Sequence, residues 1–177
     1  MPIWSDVSAM TSQRVRGFDA YWRARAGTGM ADRATIDPAD FPELLPNVVV
    51  VDFEPETVRV RYRLVGTLVV EMSRIDFTGR TLEEMAMQAS EPEIWRDSYR
   101  RVAATRAPVY GRVDIPDALG GAPAVLEEFA IFPLTVGGAA IRQCIAIEDY
   151  TPATPMMHPG RLRPMRLRVV GDEVRAS

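Results

Sequence analysis

The chain has 177 residues, with 47% apolar and 25% charged positions and a formal net charge of −3, which is the make-up of one globular domain with modest additions and not of a disordered chain. All 21 basic residues are arginine, so chemistry that needs a lysine is excluded: a Schiff base to a substrate or to pyridoxal phosphate, a phosphate-loop lysine, a kinase lysine. One histidine, His158, and one cysteine, Cys144, cannot build a His/Cys zinc site, an iron–sulfur cluster or a disulfide within one chain, and no metal site is expected.

Residues 7–26 read as an amphipathic helix with Val15, Phe18 and Trp22 on one stripe and Arg14, Arg16, Arg23 and Arg25 mostly off it, stopped by Gly27 and Gly29. Asp37 before Pro38 is a helix-start signal whose turn is expected to end before Pro46. The period then changes from about 3.6 to 2. Val48, Val49, Val50 and Val51 form one strand, Glu54, Pro55 and Glu56 turn the chain, and Val58 to Leu64 alternates with Arg59, Arg61 and Arg63 on the opposite face. After Gly66, Thr67 is placed to cap a short helix over 68–74, Thr81 and Glu84 have capping-box spacing, and a longer helix starts at Ser90 with Glu93 three residues on. That helix carries Trp95, Tyr99, Val102 and Ala103 at helical spacing and ends before Pro108. Period 2 returns in three segments, 109–116, 124–134 and 139–149, separated by Gly120, Gly121 and Pro123 and then by Gly137 and Gly138.

The order is therefore helix, two strands, three helices, three strands and a tail. Short turns make neighbouring strands antiparallel, and the helical block is expected over one sheet face. Residues 1–30 are expected to form a flanking helix, 31–151 the α+β domain, and 152–177 a Pro/Arg-rich extension. Arg161, Arg163, Arg166 and Arg168 in that extension alternate with Leu162, Met165, Leu167 and Val169, a pattern that fits docking on the fold or on a partner better than a nucleic-acid arm. For Arg59, Arg61 and Arg63, a solvated or salt-bridged face is expected, because the body is net acidic. The first ten residues lack a signal peptide, the longest aliphatic run is far below the ~20 residues of a membrane helix, and one unpaired cysteine fits a reducing cytoplasm.

Trp22 with Arg25 and Gly27, Asp37-Pro38, Leu45-Pro46, the block Tyr62-Arg63-Leu64-Val65-Gly66-Thr67 and the block Phe77-Thr78-Gly79-Arg80-Thr81-Leu82, in that order, resemble the PAS domain, and specifically the short single-PAS proteins common in alphaproteobacteria. The resemblance spans about residues 18–150. It implies a five-stranded antiparallel sheet of order 2-1-5-4-3 with helices over one face, and a sensor or adaptor role without catalysis. It leaves the ligand open. The light-sensing members carry a helical Asn-Cys-Arg-Phe-type segment that does not occur here, and Cys144 lies in the last strand, so flavin is not expected and a small buried apolar role is. Haem-binding members place a histidine on the central helix, whereas His158 lies in the tail, so haem is not expected either. A PAS cavity lies between the inner sheet face and the central helices, and its candidates here are Tyr62, Leu64, Met72, Met85, Trp95, Tyr99, Phe129, Ile131, Ile145 and Ile147, soft and apolar enough for a small apolar ligand. Flanking helices in the family often pair, so Val15, Phe18 and Trp22 are expected at a homodimer contact, beside a signalling-protein partner. The alternative is a small cone-shaped hydrolase or isomerase using a cavity carboxylate. Against it, Glu127 with Glu128 and Glu148 with Asp149 are strand neighbours and point to opposite faces.

Overall fold

The valine run and the arginine-alternating segment pair as an antiparallel hairpin, β2 (Val48–Glu54) and β3 (Arg59–Val65). Val60 and Tyr62 point inward and are buried, while Arg59, Arg61 and Arg63 are exposed, and Arg63 pairs with Asp52 of β2 at 3.2 Å. Three further strands, β4 (Val109–Pro116), β5 (Pro123–Thr135) and β6 (Ile141–Pro152), continue the sheet. The structure, a computed structural model, describes residues 3–86, 92–116 and 123–152. The helix-start position Ser90, the turn residues Gly120 and Gly121, His158 and the arginine-rich tail lie outside the described residues.

The five strands follow the expected 2-1-5-4-3 order, and a sixth extends the edge: β1 (Ile3–Trp4) pairs with β4, giving β1-β4-β5-β6-β2-β3, antiparallel throughout. Two residues are too few for periodicity to reveal, so this strand was invisible in sequence. Between β3 and β4 lie α2 (Thr67–Ser73), α3 (Leu82–Ala86) and α4 (Pro92–Thr105). Their buried residues Val69, Leu82, Ile94, Tyr99 and Val102 pack in one cluster with Val49, Tyr62, Phe129 and Cys144 of the sheet, so all three helices cover one face. Thr81 and Glu84 form the expected capping box, with the Thr81 amide donating to Glu84 at 2.7 Å and the Glu84 amide donating to Thr81 Oγ1 at 3.3 Å. Gly66 instead of Thr67 caps α2, and a side chain there would strike the Pro46 carbonyl, 2.3 Å from an ideal Cβ.

The other sheet face is covered by α1 (Gln13–Ala26) and three 3-10 turns over 33–47. The helix expected from residue 7 starts at Gln13, because the Ser12 hydroxyl accepts from the Val15 amide at 3.1 Å and sets the boundary there; Val7–Ala9 is a separate 3-10 turn. Asp37 caps its turn as expected, accepting from the Ala39 amide at 2.9 Å, but a 3-10 run continues through Pro46 to Asn47. The stripe assigned to a homodimer is used inside the chain. Val15, Phe18 and Trp22 are 0%, 1% and 4% exposed, Phe18 meets Phe41 and Phe132 at 5.2 and 5.1 Å, and the Trp22 indole donates to the Pro133 carbonyl at 3.1 Å. A second copy would reach these side chains only if α1 left its own sheet, since one apolar stripe covers one partner.

Candidate functional site

Between the inner sheet face and α2–α4 lies a cavity of about 270 Å³, near the lower end of the range occupied by small-molecule sites. Its sheet side presents Val49 of β2, Tyr62 of β3, Val113 and Ile115 of β4, Glu127 of β5, and Glu148 and Tyr150 of β6. Its helix side presents Val69 and Met72 of α2, Leu82 and Met85 of α3, and Trp95 and Tyr99 of α4, with Ile75 and Phe77 between α2 and α3. Trp95 and Tyr99 share a helix face because they are four residues apart. Trp95 lies against Phe129 at 4.5 Å and Tyr62 against Phe77 at 4.6 Å. The Phe129 ring in turn covers Gly111 of β4, where an added Cβ would fall 2.2 Å from it, so the glycine makes room for the wall of the cavity.

Of the ten sequence candidates, Tyr62, Met72, Met85, Trp95 and Tyr99 line the cavity. Phe129 and Ile131 are fully buried in the same core cluster. Leu64 does not line it. Val50 faces Leu64 but Val51 faces Tyr62, so Arg63 is an extra residue on β3; this bulge ends the alternation and leaves Leu64 48% exposed. Ile145 and Ile147 do not line it either, because they pack with α1 on the opposite face. β6 is apolar on both faces here, and its inner residues are Cys144 and Ala146. Cys144 is buried as expected, and desolvation pushes its thiol well above the usual range.

The missed residues are Glu127 and Glu148. Strand neighbours do diverge, so Glu127 and Glu128 face opposite sides, as do Glu148 and Asp149. Cross-strand register then regroups them. Glu127 opposes Tyr150, and Phe129 opposes Glu148, which makes Glu127 and Glu148 diagonal neighbours on the inner face. Both are buried, at 6% and 7% exposed. The Tyr150 hydroxyl donates to Glu148 at 2.6 Å, whereas Glu127 Oε1 has no hydrogen-bond partner among the described residues. Burial raises both carboxyls: Glu148 is pushed up to about 7 despite the Tyr150 bond, and Glu127 is held well above its ordinary value, with the nearby Glu148 adding to desolvation. Burial, followed by the field of Glu148, likewise raises the Tyr62 phenol. A charge on Glu148 therefore disfavours ionisation of its neighbours.

The partners of these carboxylates on the outer face are fully engaged. Glu128 accepts from the Thr11 and Ser12 amides at 2.9 and 2.5 Å and from the Arg112 guanidinium. Asp149 accepts from the Ser12 hydroxyl at 2.6 Å and from Arg14 at 2.9 Å. Both lie at the start of α1, where the helix dipole favours negative charge. Desolvation raises Glu128, but bonds from Arg112, Ser12 and Thr11 outweigh it and hold the carboxyl below its ordinary value.

A family model described as a PAS domain matches residues 10–143. Among solved structures, a variant of the fungal photoreceptor VVD is 10% identical with a TM-score of 0.41, over 58% of this chain and 74% of that one. A second Vivid variant is 11% identical with a TM-score of 0.47, over 80% and 96%. A sensory box sensor histidine kinase from Vibrio cholerae is 8% identical with a TM-score of 0.45, over 66% and 92%. No curated protein matches the chain. Among the described residues, no helix is long and apolar enough to cross a membrane.

Proposed function

We infer the function from one premise: this chain belongs to the PAS-domain family. It acts as a signalling sensor that admits a small, largely apolar ligand to the inner cavity and passes the event to α1. The cavity carries this assignment. Interiors are close-packed by default, yet here about 270 Å³ stays open among Met72, Met85, Trp95 and Tyr99, and methionine adapts its shape to irregular ligands.

Two strands connect the cavity to α1. Glu127 and Glu148 face the ligand space, and the next residues, Glu128 and Asp149, hold the first turn of α1 from the other side of the sheet. A ligand that shifts β5 or β6 therefore acts directly on the α1 cap. A second link runs through α4, whose Arg101 donates to the Ile3 carbonyl at 3.1 Å and to Ser5 at 2.8 Å.

Mass spectrometry of the purified full chain under native and denaturing conditions tests this function. The expected result is a small mass retained in the first and lost in the second, with slowed amide exchange at 11–16 when that compound is added back. No retained mass, together with no thermal shift from any small apolar compound, overturns it.

One observation favours a second function, an enzyme using acid–base chemistry. Glu148 at about 7 sits in apolar walls, the protonation range of a general acid or base. Turnover of a hydrolase or isomerase substrate that is lost in Glu148→Gln would establish it over the sensor.

A further inference from the structure

We propose that the ligand of the inner cavity is a small organic cation, an amine with a compact apolar body, whose ammonium group sits between Glu127 and Glu148. This rests on the cavity being a ligand site, and it specifies the chemical class. Three observations carry it.

The first is an unanswered acceptor. Glu127 is 6% exposed, lines the cavity, and its Oε1 has no partner among the described residues. Buried polar atoms are nearly always paired, and one that is not calls for a missing partner. Glu148 has Tyr150 as its one side-chain donor among the described residues, because Asn47 donates to the Glu148 backbone carbonyl instead.

The second is the location of the cations. Arginine ion pairs among the described residues involve Asp19, Asp40, Asp52, Glu93, Asp97, Glu128 and Asp149, and none reaches Glu127 or Glu148. The described cavity wall contains no arginine. Two buried acids that share a pocket with no basic residue in its described lining make a receptor for an external positive charge.

The third is the rest of the wall. Tyr62, Phe77, Trp95 and Tyr99 surround the space with aromatic surface, which accepts both the apolar body of an amine and the face-on approach of an ammonium. An anion would meet two acids and no cationic donor among the described lining residues. A purely apolar ligand would leave Oε1 of Glu127 unpaired.

The titratable groups facing the pair are acidic or neutral on every element packed against it: Tyr62 from β3, Tyr99 from α4, Cys144 and Tyr150 from β6, and Glu83 of α3 through its field on Tyr62. Among the described residues none supplies a positive charge. Burial favours the protonated form of Glu127 and, near pH 7, keeps part of Glu148 protonated. Entry of a cation favours the ionised forms, so protons leave as the ligand binds, and affinity rises with pH through the window near 7.

Isothermal calorimetry on the full chain tests this with two probes of nearly equal size, 2-phenylethylammonium and neutral 2-phenylethanol, in buffers of different ionisation enthalpy. The ammonium is expected to bind at least about tenfold more tightly than the alcohol and to expel about one proton. Glu127→Gln and Glu148→Gln should each remove most of that preference while alcohol binding stays. If one variant fails to fold, the other variant and the wild-type proton release decide. Equal binding of the two probes, or a preference that survives both substitutions, overturns the cation and leaves a ligand cavity of apolar preference. If neither probe binds, the cation class is overturned. The mass measurement above then decides separately whether the cavity takes a ligand.

Discussion

The two faces of one sheet treat the same residues in opposite ways. Glu127-Glu128 and Glu148-Asp149 each send one carboxylate inward and one outward. The outward pair meets the amides and hydroxyls of Thr11 and Ser12, two arginines and the start of α1. The inward pair meets tyrosine hydroxyls, methionines and aromatic rings. The outer face thus has the Glu128 and Asp149 carboxylates paired and Phe18 packed against Phe41 and Phe132. The inner face keeps the cavity and, in Glu127 Oε1, an acceptor without a partner among the described residues.

The largest effect is expected from Phe18→Glu on the outer face. Phe18 is 1% exposed and packed between Phe41 and Phe132, and losing that packing while burying an unpaired charge costs about 5 kcal/mol or more. The variant should be unfolded by circular dichroism. A folded monomer derived from a wild-type dimer would reverse the assignment and restore the helix stripe as an interface.

Glu128→Gln comes next, at about 2 to 3 kcal/mol in denaturant unfolding, because Arg112 loses its anion and the α1 amides lose a charged acceptor. The matching inner change, Glu127→Gln, should leave stability unchanged or raise it by about 1 kcal/mol. A comparable loss from both would erase the contrast between the faces. Between these lies Gly111→Ala, for which the 2.2 Å clash with the Phe129 ring forces Phe129 and Trp95 to move, at about 2 kcal/mol.

The smallest effect per step is pH dependence, and the two faces give it opposite signs. Glu148 is raised from 4.5 to about 7, so across that window the unfolded chain has released a proton that the folded chain still holds. Stability therefore falls as pH rises from about 4.5 to about 7, by at most about 1 kcal/mol per pH unit. Glu128 is lowered from 4.5, so its contribution is complete above that value and is lost as pH falls below it. Urea midpoints measured over this range should show both limbs, and Glu148→Gln should weaken the upper one, the rest of it coming from Glu127. An unchanged upper limb would place the titrating group elsewhere.

Much of the architecture was legible because local rules and the global fold agree. The switch from period 3.6 to 2 at Val48, the arginine alternation through β3, the Gly137-Gly138 turn and the Thr81–Glu84 box each point to the elements that form. The helical side of the cavity was legible for the same reason: Trp95 and Tyr99 must share a face of α4, and Met72 and Met85 lie on the only other helices over that sheet face in the described residues.

Sequence alone determined that adjacent carboxylates diverge, that no lysine can serve them, and that two strands carry acid pairs. Only the tertiary structure decided which acid enters the cavity. β6 is apolar on both sides through Ile145, Ala146 and Ile147, so its inward parity cannot be read from alternation, and the bulge at Arg63 turns Leu64 outward with no mark in the residues themselves. Glu127 and Glu148 are 21 positions apart by number and become neighbours through the β5–β6 register, which sets Glu127 opposite Tyr150. Alternation along a strand is local geometry, fixed by the backbone. Register between strands is a choice among pairings that only the packed core makes, because a one-residue slip of β5 or of β6 would bring Glu128 or Asp149 into the cavity and take that acceptor from the start of α1.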